Sequence, residues 1–304
     1  MKDIFVFKGQ NEIEFYKQFS TKEQCLEYLA NRKWKDGFTC PTCGCQEEYH
    51  THVLHHKRCK NCLNLCSPTA NTLFHNLKFG IEKAFLAIFK MTATTKSISA
   101  EQLARTIGVN RKTALAFQHK VRLAMKSSEQ HPMIGEVEVD EAFIGGQEDS
   151  ENRGRGAQSK TQIVMAVEKT GKFGVKRVYA RVVENGSTSE LKTIFEKHIS
   201  KAAKVLTDKW SSYGPIAKEY QIKQEKSDPK VNFKTMHRCI QQLKSWIRGV
   251  HHHVNPEFLQ AYLNEFCYRI NRSIHKDIIF DNLINRMILA PVSTIKSLKT
   301  NYWA

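Results

Sequence analysis

Long apolar runs are absent from this sequence. Its 304 residues contain no uninterrupted stretch of the ~20 apolar side chains that a membrane-spanning helix needs. The amino-terminal segment, MKDIFVFKGQNEIEFYKQF, is too highly charged for the apolar core of a signal peptide. Internal repeats and low-complexity tracts are also missing. We therefore expect a soluble, cytoplasmic protein that does not associate with a membrane.

Negative charge is scarce relative to positive charge. The 30 Asp and Glu residues stand against 47 Lys and Arg residues, which gives a formal net charge of +17. Such a chain favours polyanionic partners, because each phosphate that Lys or Arg neutralises releases condensed counterions. Hydrophobic residues make up 41% of the chain, enough to build buried cores, so wholesale disorder is not expected. The composition favours a folded protein that binds nucleic acid.

Six of the nine cysteines fall between residues 40 and 66. Four of them form two Cys-x2-Cys pairs, Cys40/Cys43 and Cys59/Cys62. Each pair places two thiolates on one side of a turn, and two such turns joined by a hairpin close a tetrahedral zinc site. Cys45 or Cys66 can replace a neighbour as a ligand. We predict a structural Zn²⁺ in a zinc ribbon over residues 37–75, after a helical lead-in over 1–36.

The segment SISAEQLARTIGVNRKTALAFQHKVRLAM has the pattern of two helices joined by a short turn. Ser99 can cap the first helix, which ends at Gly108, and the second helix begins after the Gly-Val-Asn turn. In a helix-turn-helix, base edges or phosphates meet the start of the second helix. The residues there are Asn110, Arg111, Lys112 and Thr113. We predict a helix-turn-helix DNA-binding region over residues 76–130, with an ordinary helical hairpin as the alternative.

The hydrophobic period changes from helical to alternating after the polar break SSEQHPMIG. Strand patterns follow in EVEVDEAFIGG, TQIVMAVEK and VKRVYARVV, and then come the helix STSELKTIFEKHISKAA and the strand KVLTD. The glycine-containing, charged segment QEDSENRGRGAQSK is expected to be a flexible loop. The order indicates the first half of an α/β unit. We predict a catalytic mixed-sheet domain over residues 131–290 and a C-terminal tail over 291–304.

Two aspartates occupy the ends of predicted strands in this domain. Asp140 lies at the end of the apolar half of the first strand, and Asp208 closes the fourth. If these strands are neighbours, both carboxylates project into one crevice, where a Mg²⁺ ion can bind them together with substrate phosphate oxygens. Such ions activate a water or a 3′-hydroxyl for in-line phosphoryl transfer. Strand alternation predicts that Glu141 turns away from Asp140 and is structural.

These features together resemble a known enzyme family. The zinc ribbon, the helix-turn-helix and the segments VEVDEAFIGG, VLTDKWSSYGP and YLNEFCYRINR are similar to those of DDE-type insertion-sequence transposases with an ISXO2-like transposase domain. The resemblance covers about residues 25–275. It implies an RNase H-like mixed sheet flanked by helices and Mg²⁺-dependent cleavage at transposon ends, followed by transfer into target DNA. It also implies that Asp140 and Asp208 are the first two acids of the catalytic triad.

The third member of that triad has two candidates. In this superfamily it lies on a helix after the fourth strand, with a Lys or Arg seven residues downstream on the same face. Two pairs have this spacing, His237 with Lys244 and Glu265 with Arg272. The family varies at this position, where Asn or His can replace Glu, and KSWIRG resembles the segment that follows it. We predict His237 with Lys244 and keep Glu265 with Arg272 as the alternative.

Aromatic residues and histidines flank these candidates. Three consecutive histidines, residues 251–253, cannot all face one metal ion, so we expect a basic loop near DNA. Trp210 and Tyr213 follow Asp208 and are expected either to stack on an unpaired base or to pack in the core.

The resulting prediction is a DNA transposase of a bacterial insertion sequence. It binds double-stranded DNA at terminal inverted repeats and at the target, assembles as a homo-oligomer on that DNA and associates with the nucleoid. A DNA-binding regulator derived from a transposase, without catalysis, is the alternative, but Asp140 and Asp208 are both retained. A general nuclease of the same fold would cut DNA without strand transfer.

Overall fold

A computed structural model describes residues 5–9, 11–94, 96–145, 160–171, 174–228, 231–294 and 297. The chain forms two compact units, which divide at Met125/Lys126 and again at Ser273/Ile274. The expected loop QEDSENRGRGAQSK lies outside the described residues apart from Lys160, and so does most of the expected tail.

Helices occur in both units. The α-helices of the described residues are α1 Glu12–Gln18, α2 Lys22–Lys33, α3 Ile81–Ala93, α4 Ala100–Ile107, α5 Arg111–Ala124, α6 Thr188–His198, α7 Lys234–Trp246, α8 Leu259–Ile270 and α9 Ile279–Leu289. Short 3-10 turns are Ser211–Tyr213, Ile216–Lys218, Pro256–Phe258 and Lys276–Ile278, and α7 continues into a π-helical turn, Ile247–His251. None of these helices is long and apolar enough to cross a membrane.

Two sheets complete the secondary structure of the described residues. The strands are β1 Glu48–Tyr49, β2 Lys57–Cys59, β3 Leu65–Cys66, β4 Glu136–Ile144, β5 Thr161–Thr170, β6 Gly174–Val183, β7 Lys204–Thr207 and β8 Gln221–Gln224. β1 to β3 form a small antiparallel sheet in the first unit. The remaining strands form a sheet in the order β6-β5-β4-β7-β8 in the second unit, antiparallel from β6 to β4 and parallel from β4 to β8. The mixed α/β class expected from the sequence is confirmed.

The first unit includes α9, because this helix supplies part of its core. The ring of Phe280 packs edge-on against Phe7 with a centroid distance of 5.4 Å. Next to it, Asp281 accepts hydrogen bonds from the Tyr28 hydroxyl at 2.6 Å and from Arg32 Nε at 2.9 Å. The second unit therefore stops before α9, whereas the sequence pattern extends the catalytic domain to residue 290.

The mixed sheet of the second unit carries helices on both faces. One face packs against α6, and the other packs against α7 and α8. Along β4, Val137 and Val139 face α6, while Ala142 and Ile144 face α7 and α8. The buried Glu138 carboxylate accepts a hydrogen bond of 2.9 Å from the Met236 amide, which holds the start of α7 over β4.

Candidate metal centres

The middle of β4 and the end of β7 bring two acidic side chains together, so Asp208 follows a strand as expected, whereas Asp140 lies inside β4, which continues to Ile144. These strands pair in parallel, and Val139 lies opposite Thr207, the last residue of β7. The same register continued by one residue sets Asp140 level with Asp208. Carboxylate oxygens of the two residues lie within 4.8 Å of each other. The structure therefore brings the two carboxylates together, as the sequence predicts for this pair.

Glu141 joins the two aspartates, so the expectation that it turns away from Asp140 is wrong. One of its carboxylate oxygens lies within 4.8 Å of both of them. Adjacent strand residues do point to opposite faces of a sheet. However, β7 ends at Thr207, so Glu141 has β5 beside it on one side but no strand on the side of Asp208. The hydroxyl of the fully buried Tyr213 donates a hydrogen bond to the Glu141 carboxylate and holds it there.

Burial and like-charge repulsion both act on the acidic group. Burial raises the pKa of Asp140 to about 6, and the negative charge of Asp208 acts in the same direction. The Glu141 amide donates a hydrogen bond to Asp140 at 2.9 Å and partly opposes this shift. Asp208 accepts a hydrogen bond of 3.0 Å from the Trp210 amide, which fixes its side chain in a tight turn. Three converging carboxylates are hard oxygen donors and fit a divalent cation such as Mg²⁺.

His237 lies on α7 near this group but not within it. Its Nε2 atom is 3.0 Å from Ser227 Oγ. Its charge acts on the Asp140 carboxyl, where it opposes the burial that raises the pKa. Among the described residues, the group of ligand atoms within 4.8 Å of one another does not include His237.

The alternative pair, Glu265 and Arg272, lies elsewhere in the second unit. α8 packs along β6, where the Gln260 side chain accepts a hydrogen bond of 2.9 Å from the Val182 amide. β6 is separated from β4 by β5. Glu265 is fully buried on this helix, and the Arg272 guanidinium lies 4.0 Å from the ring centre of Tyr268. The structure therefore does not bring this pair to the aspartates.

Lys244 follows His237 by two helical turns on α7. It lines a cavity beyond the end of β4 together with Lys160 and Arg248. Burial lowers the pKa of Lys244, and the charge of Lys160 lowers it further. Lys244 is thus a partly desolvated cation with a second cation nearby, an arrangement that favours an anion.

Four cysteines converge in the first unit, as the spacing of the two pairs predicts. Their Sγ atoms all lie within 4.8 Å of one another: Cys40, Cys43, Cys59 and Cys62. The shortest sulfur distances, 3.5 Å, are close to the ~3.8 Å edge of a tetrahedron with Zn–S bonds of about 2.3 Å. The chemistry and the spacing of these donors fit a structural Zn²⁺. Cys45 and Cys66 lie outside the group, and the Cys66 sulfur accepts a contact from the Asn64 side-chain amide at 3.4 Å.

The two helices expected after the ribbon are α4 and α5. Ser99 caps α4 by accepting a hydrogen bond of 3.2 Å from the Gln102 amide, and Gly108 ends it in the left-handed region at φ 62°. Asn110 caps α5 by accepting a hydrogen bond of 2.8 Å from the Thr113 amide. The first exposed positions of α5 are occupied by Arg111 and Lys112. These two cations are therefore available for phosphate contacts.

Comparisons with known proteins support the resemblance to transposases. Residues 132–271 match the family model of the ISXO2-like transposase domain, and residues 20–64 match that of the transposase zinc-ribbon domain. The chain is also similar to an uncharacterized protein in transposable element ISH50 of Halobacterium salinarum. The two are 23% identical over 276 residues, which cover 83% of this chain and 92% of the relative. The predicted resemblance is confirmed.

Proposed function

We propose that this chain, in which a transposase zinc ribbon precedes an ISXO2-like transposase domain, is the transposase of an insertion sequence. It binds terminal inverted repeats, cuts a DNA strand at each transposon end and transfers the freed 3′ end into target DNA. The observation that carries the proposal is the convergence of Asp140, Glu141 and Asp208 within the segment that matches the transposase domain.

The metal-binding residues of this proposal are Asp140 and Asp208, with Glu141 close enough to share the ion. Three carboxylates this close repel one another until a cation lies between them. When bound by these carboxylates, Mg²⁺ would supply Lewis-acid chemistry for phosphoryl transfer. The turn with Trp210 orients Asp208, and the Tyr213 hydroxyl orients Glu141.

For the third triad position we propose His237, with Lys244 as the phosphate contact. Two observations support His237 over Glu265. The start of α7 is held over β4 by Glu138, and the charge of His237 acts on Asp140. Glu265 lies on α8 along β6 instead. A metal ion would displace the proton from this ring, and the neutral imidazole nitrogen could then complete the coordination of a divalent ion bound by the two carboxylates.

The wider architecture supports the RNase H-like fold and the DNA-binding assignments. The strand order, with three antiparallel strands followed by two parallel ones and helices on both faces, is the arrangement expected for that fold. We assign α4 and α5 as a helix-turn-helix that contacts the transposon ends through Arg111 and Lys112. Joining two ends to a target needs more than one active site, so we propose a homo-oligomer assembled on DNA, associated with the nucleoid in the cytoplasm.

The test uses the full chain and DNA that carries the ends of its element. We expect short inverted repeats on both sides of the coding region, and these would provide the ends. We expect Mg²⁺-dependent nicking at the repeat boundary and transfer of the 3′ end into a plasmid. Asp140→Ala and Asp208→Ala should abolish both steps and keep end binding, while the exposed control Glu196→Gln should keep all activities. Cleavage without transfer would identify a nuclease, and binding without cleavage would identify a regulator.

The same assay decides the third position. His237→Ala should reduce cleavage strongly and raise the Mg²⁺ concentration needed for half-maximal rate, whereas His237→Asn should retain more activity because it keeps a polar ligand. Arg272→Ala keeps the buried Glu265 in place and serves as the matched test of the alternative pair. A larger loss from Arg272→Ala than from His237→Ala would overturn the assignment.

A further inference from the structure

A cavity of about 650 Å³ opens beyond the carboxyl end of β4, on the face of the sheet that α7 covers. Its walls come from four elements of the second unit: Ile144 at the end of β4, Thr161 at the start of β5, Ile247 just past α7 and Leu259 at the start of α8. We call this space the cationic cavity. It is separate from the acidic group, since Asp140 precedes Ile144 by four strand residues, or about 13 Å.

Positive side chains dominate the polar part of the cationic cavity. They are Lys160, Lys244 and Arg248, joined by His252 and His253. No Asp or Glu contributes to its lining within the part of the chain that the structure describes. Burial and the charge of Lys160 both lower the pKa of Lys244, so these cations repel one another inside a partly desolvated space. A bound anion would remove that repulsion.

The local backbone directs these cations into the cavity. At its carboxyl end α7 widens into the π-helical turn Ile247–His251, a feature frequent at functional sites. His251 turns to the aromatic residues, with ring-centre distances of 4.9 Å to Trp246 and 4.7 Å to Tyr262. His252 adopts a positive φ of 57°, and it lines the cavity with His253. The three histidines therefore separate into one packing residue and two cavity residues.

The size and the lining limit what can enter. A volume of this order suits a small organic molecule and is far too small for a DNA duplex, whose major groove alone is about 12 Å wide. Beside the cations the walls include the aliphatic residues Ile144, Ile247, Val254 and Leu259. A single unpaired nucleotide matches both parts of this lining. Its anionic phosphate suits the cations, and the flat faces of its base, which have low polarity, suit the aliphatic wall.

We propose that the cationic cavity binds one unpaired nucleotide of the DNA strand that the acidic group acts on. The inference rests on the proposed function, because it takes DNA as the substrate. The nucleotide phosphate contacts Lys160 and Arg248, and the base lies against the aliphatic wall. An extruded nucleotide held in this cavity lies within a few nucleotides of the phosphate that the acidic group acts on. Holding it there fixes the DNA strand and positions that phosphate for cleavage.

The test measures binding of the full chain to three short fluorescent DNA duplexes in EDTA, where no cleavage occurs. One duplex is fully paired, one has a single unpaired thymidine and one has an abasic residue at the same place. We expect the wild type to bind the thymidine bulge about tenfold more tightly than the other two, the order of effect that one stacked base provides. Lys160→Ala/Arg248→Ala should abolish this preference and leave binding to the paired duplex nearly unchanged.

A matched variant controls for the loss of positive charge. Lys201→Ala/Lys204→Ala removes two exposed lysines at the opposite end of β7 from Asp208, and it should keep the preference for the bulge. Crosslinking from 5-iodouridine at the bulge should label the peptide that contains residues 246–260.

Each other outcome contradicts the proposal. Equal binding to the abasic and thymidine bulges would mean that the cavity takes phosphate alone. Equal loss of binding to all three duplexes in Lys160→Ala/Arg248→Ala would mean that these cations are general DNA contacts. Because the assay excludes catalysis, the two proposals fail separately. A chain that prefers the bulge but never cleaves DNA in Mg²⁺ contradicts the proposed function alone, and one that cleaves without the preference contradicts the cavity alone.

Discussion

At the scale of single residues, Tyr213 holds the Glu141 carboxylate beside the two aspartates. Its ring lies in the core that covers the α6 face of the sheet, and its hydroxyl donates to the Glu141 carboxylate. Burial raises the pKa of Tyr213 well above its ordinary value, and the charge of Glu141 adds to the shift, so the phenol stays a hydrogen-bond donor. Core packing thereby positions a carboxylate at the candidate metal site.

We expect Tyr213→Phe to weaken metal use without disturbing DNA binding. A hydrogen bond to a charged group contributes about 1.5–3 kcal/mol, which corresponds to roughly a tenfold or larger change. The Mg²⁺ concentration for half-maximal cleavage should rise by that order, and end binding measured in EDTA should not change. Tyr220→Phe, at a buried tyrosine packed 5.1 Å from Phe195, is the control. An unchanged Mg²⁺ dependence in Tyr213→Phe would remove Glu141 from the metal site.

A second residue-scale prediction concerns pH. Burial lowers the pKa of His198 to about 4, and its ring stacks 4.0 Å from that of Tyr179. The unfolded chain therefore binds a proton between about pH 6.5 and 4 that the folded second unit excludes. The stabilisation is complete above pH 6.5 and is lost as the pH falls through this window. Urea unfolding should show a loss of about 1–2 kcal/mol between pH 7 and 5.

Variants at two histidines check that assignment. His198→Phe keeps a flat ring on Tyr179 and should reduce the acid-dependent loss of unfolding free energy. The exposed His131, whose backbone carbonyl rather than its ring accepts hydrogen bonds, gives the matched control His131→Phe with an unchanged slope. If both variants retain the full slope, another group causes the acid sensitivity.

At the scale of elements, the zinc ribbon depends on metal more than on a core. Its strands are two or three residues long, and its buried cluster contains Phe38 and three cysteines. Small sites of this kind fold with their metal. We expect one Zn²⁺ per chain by metal analysis, and its removal by a chelator should raise hydrogen exchange within residues 37–66. Cys59→Ser should act like the chelator, and Cys45→Ser should retain zinc; zinc loss in Cys45→Ser would change the ligand set.

The second prediction at this scale concerns α5. Arg111 and Lys112 are the first two residues of α5, directly after its cap Asn110, and both are exposed. Replacing both by Ala should weaken binding to the transposon ends and reduce the slope of log K against log salt by about 0.9 per lost phosphate contact. The control Lys17→Ala/Lys22→Ala removes the same charge from α1 and α2 and should leave that slope unchanged. Equal slopes for all three proteins would place the DNA contacts elsewhere.

At the scale of the whole molecule, the chain returns from the second unit to complete the first. Asp281 on α9 pairs with Arg32 on α2, and the two residues are separated by 249 positions in the sequence. The pair is buried, so removing one partner leaves an uncompensated charge. The first unit therefore includes residues from both ends of the sequence.

We expect Asp281→Ala to destabilise the first unit by about 3–5 kcal/mol, since Arg32 remains buried without its carboxylate. Hydrogen exchange of peptides from α2 and α9 should accelerate together. Glu101→Ala, which breaks an exposed pair with Arg105 at 3.1 Å on α4, should change stability by no more than about 0.5 kcal/mol. Arg32→Met/Asp281→Leu should recover most of the loss. Unchanged exchange in Asp281→Ala would show that α9 does not stabilise this unit.

Local sequence determined the features whose geometry follows from short spacings. The two Cys-x2-Cys pairs identify the four cysteines that converge, because the cysteines of each pair are only three residues apart and share one turn. The caps at Ser99 and Asn110 mark the starts of α4 and α5 for the same reason, since each bonds an amide three residues ahead. The position of Asp208 directly after β7 also follows from the pattern, whereas Asp140 lies in the middle of β4 because that strand continues to Ile144.

Tertiary structure alone decided the features that depend on which elements become neighbours. Glu141 reaches the aspartates because β7 ends at Thr207 and does not extend alongside it. The Tyr213 hydroxyl, 72 positions along the chain, also donates a hydrogen bond to its carboxylate. His237 and Glu265 have the same spacing to a cation, and only the packing of α7 on β4 and of α8 on β6 distinguishes them. Periodicity assigns a side chain to a face of its own element, but long-range contacts decide what that face meets.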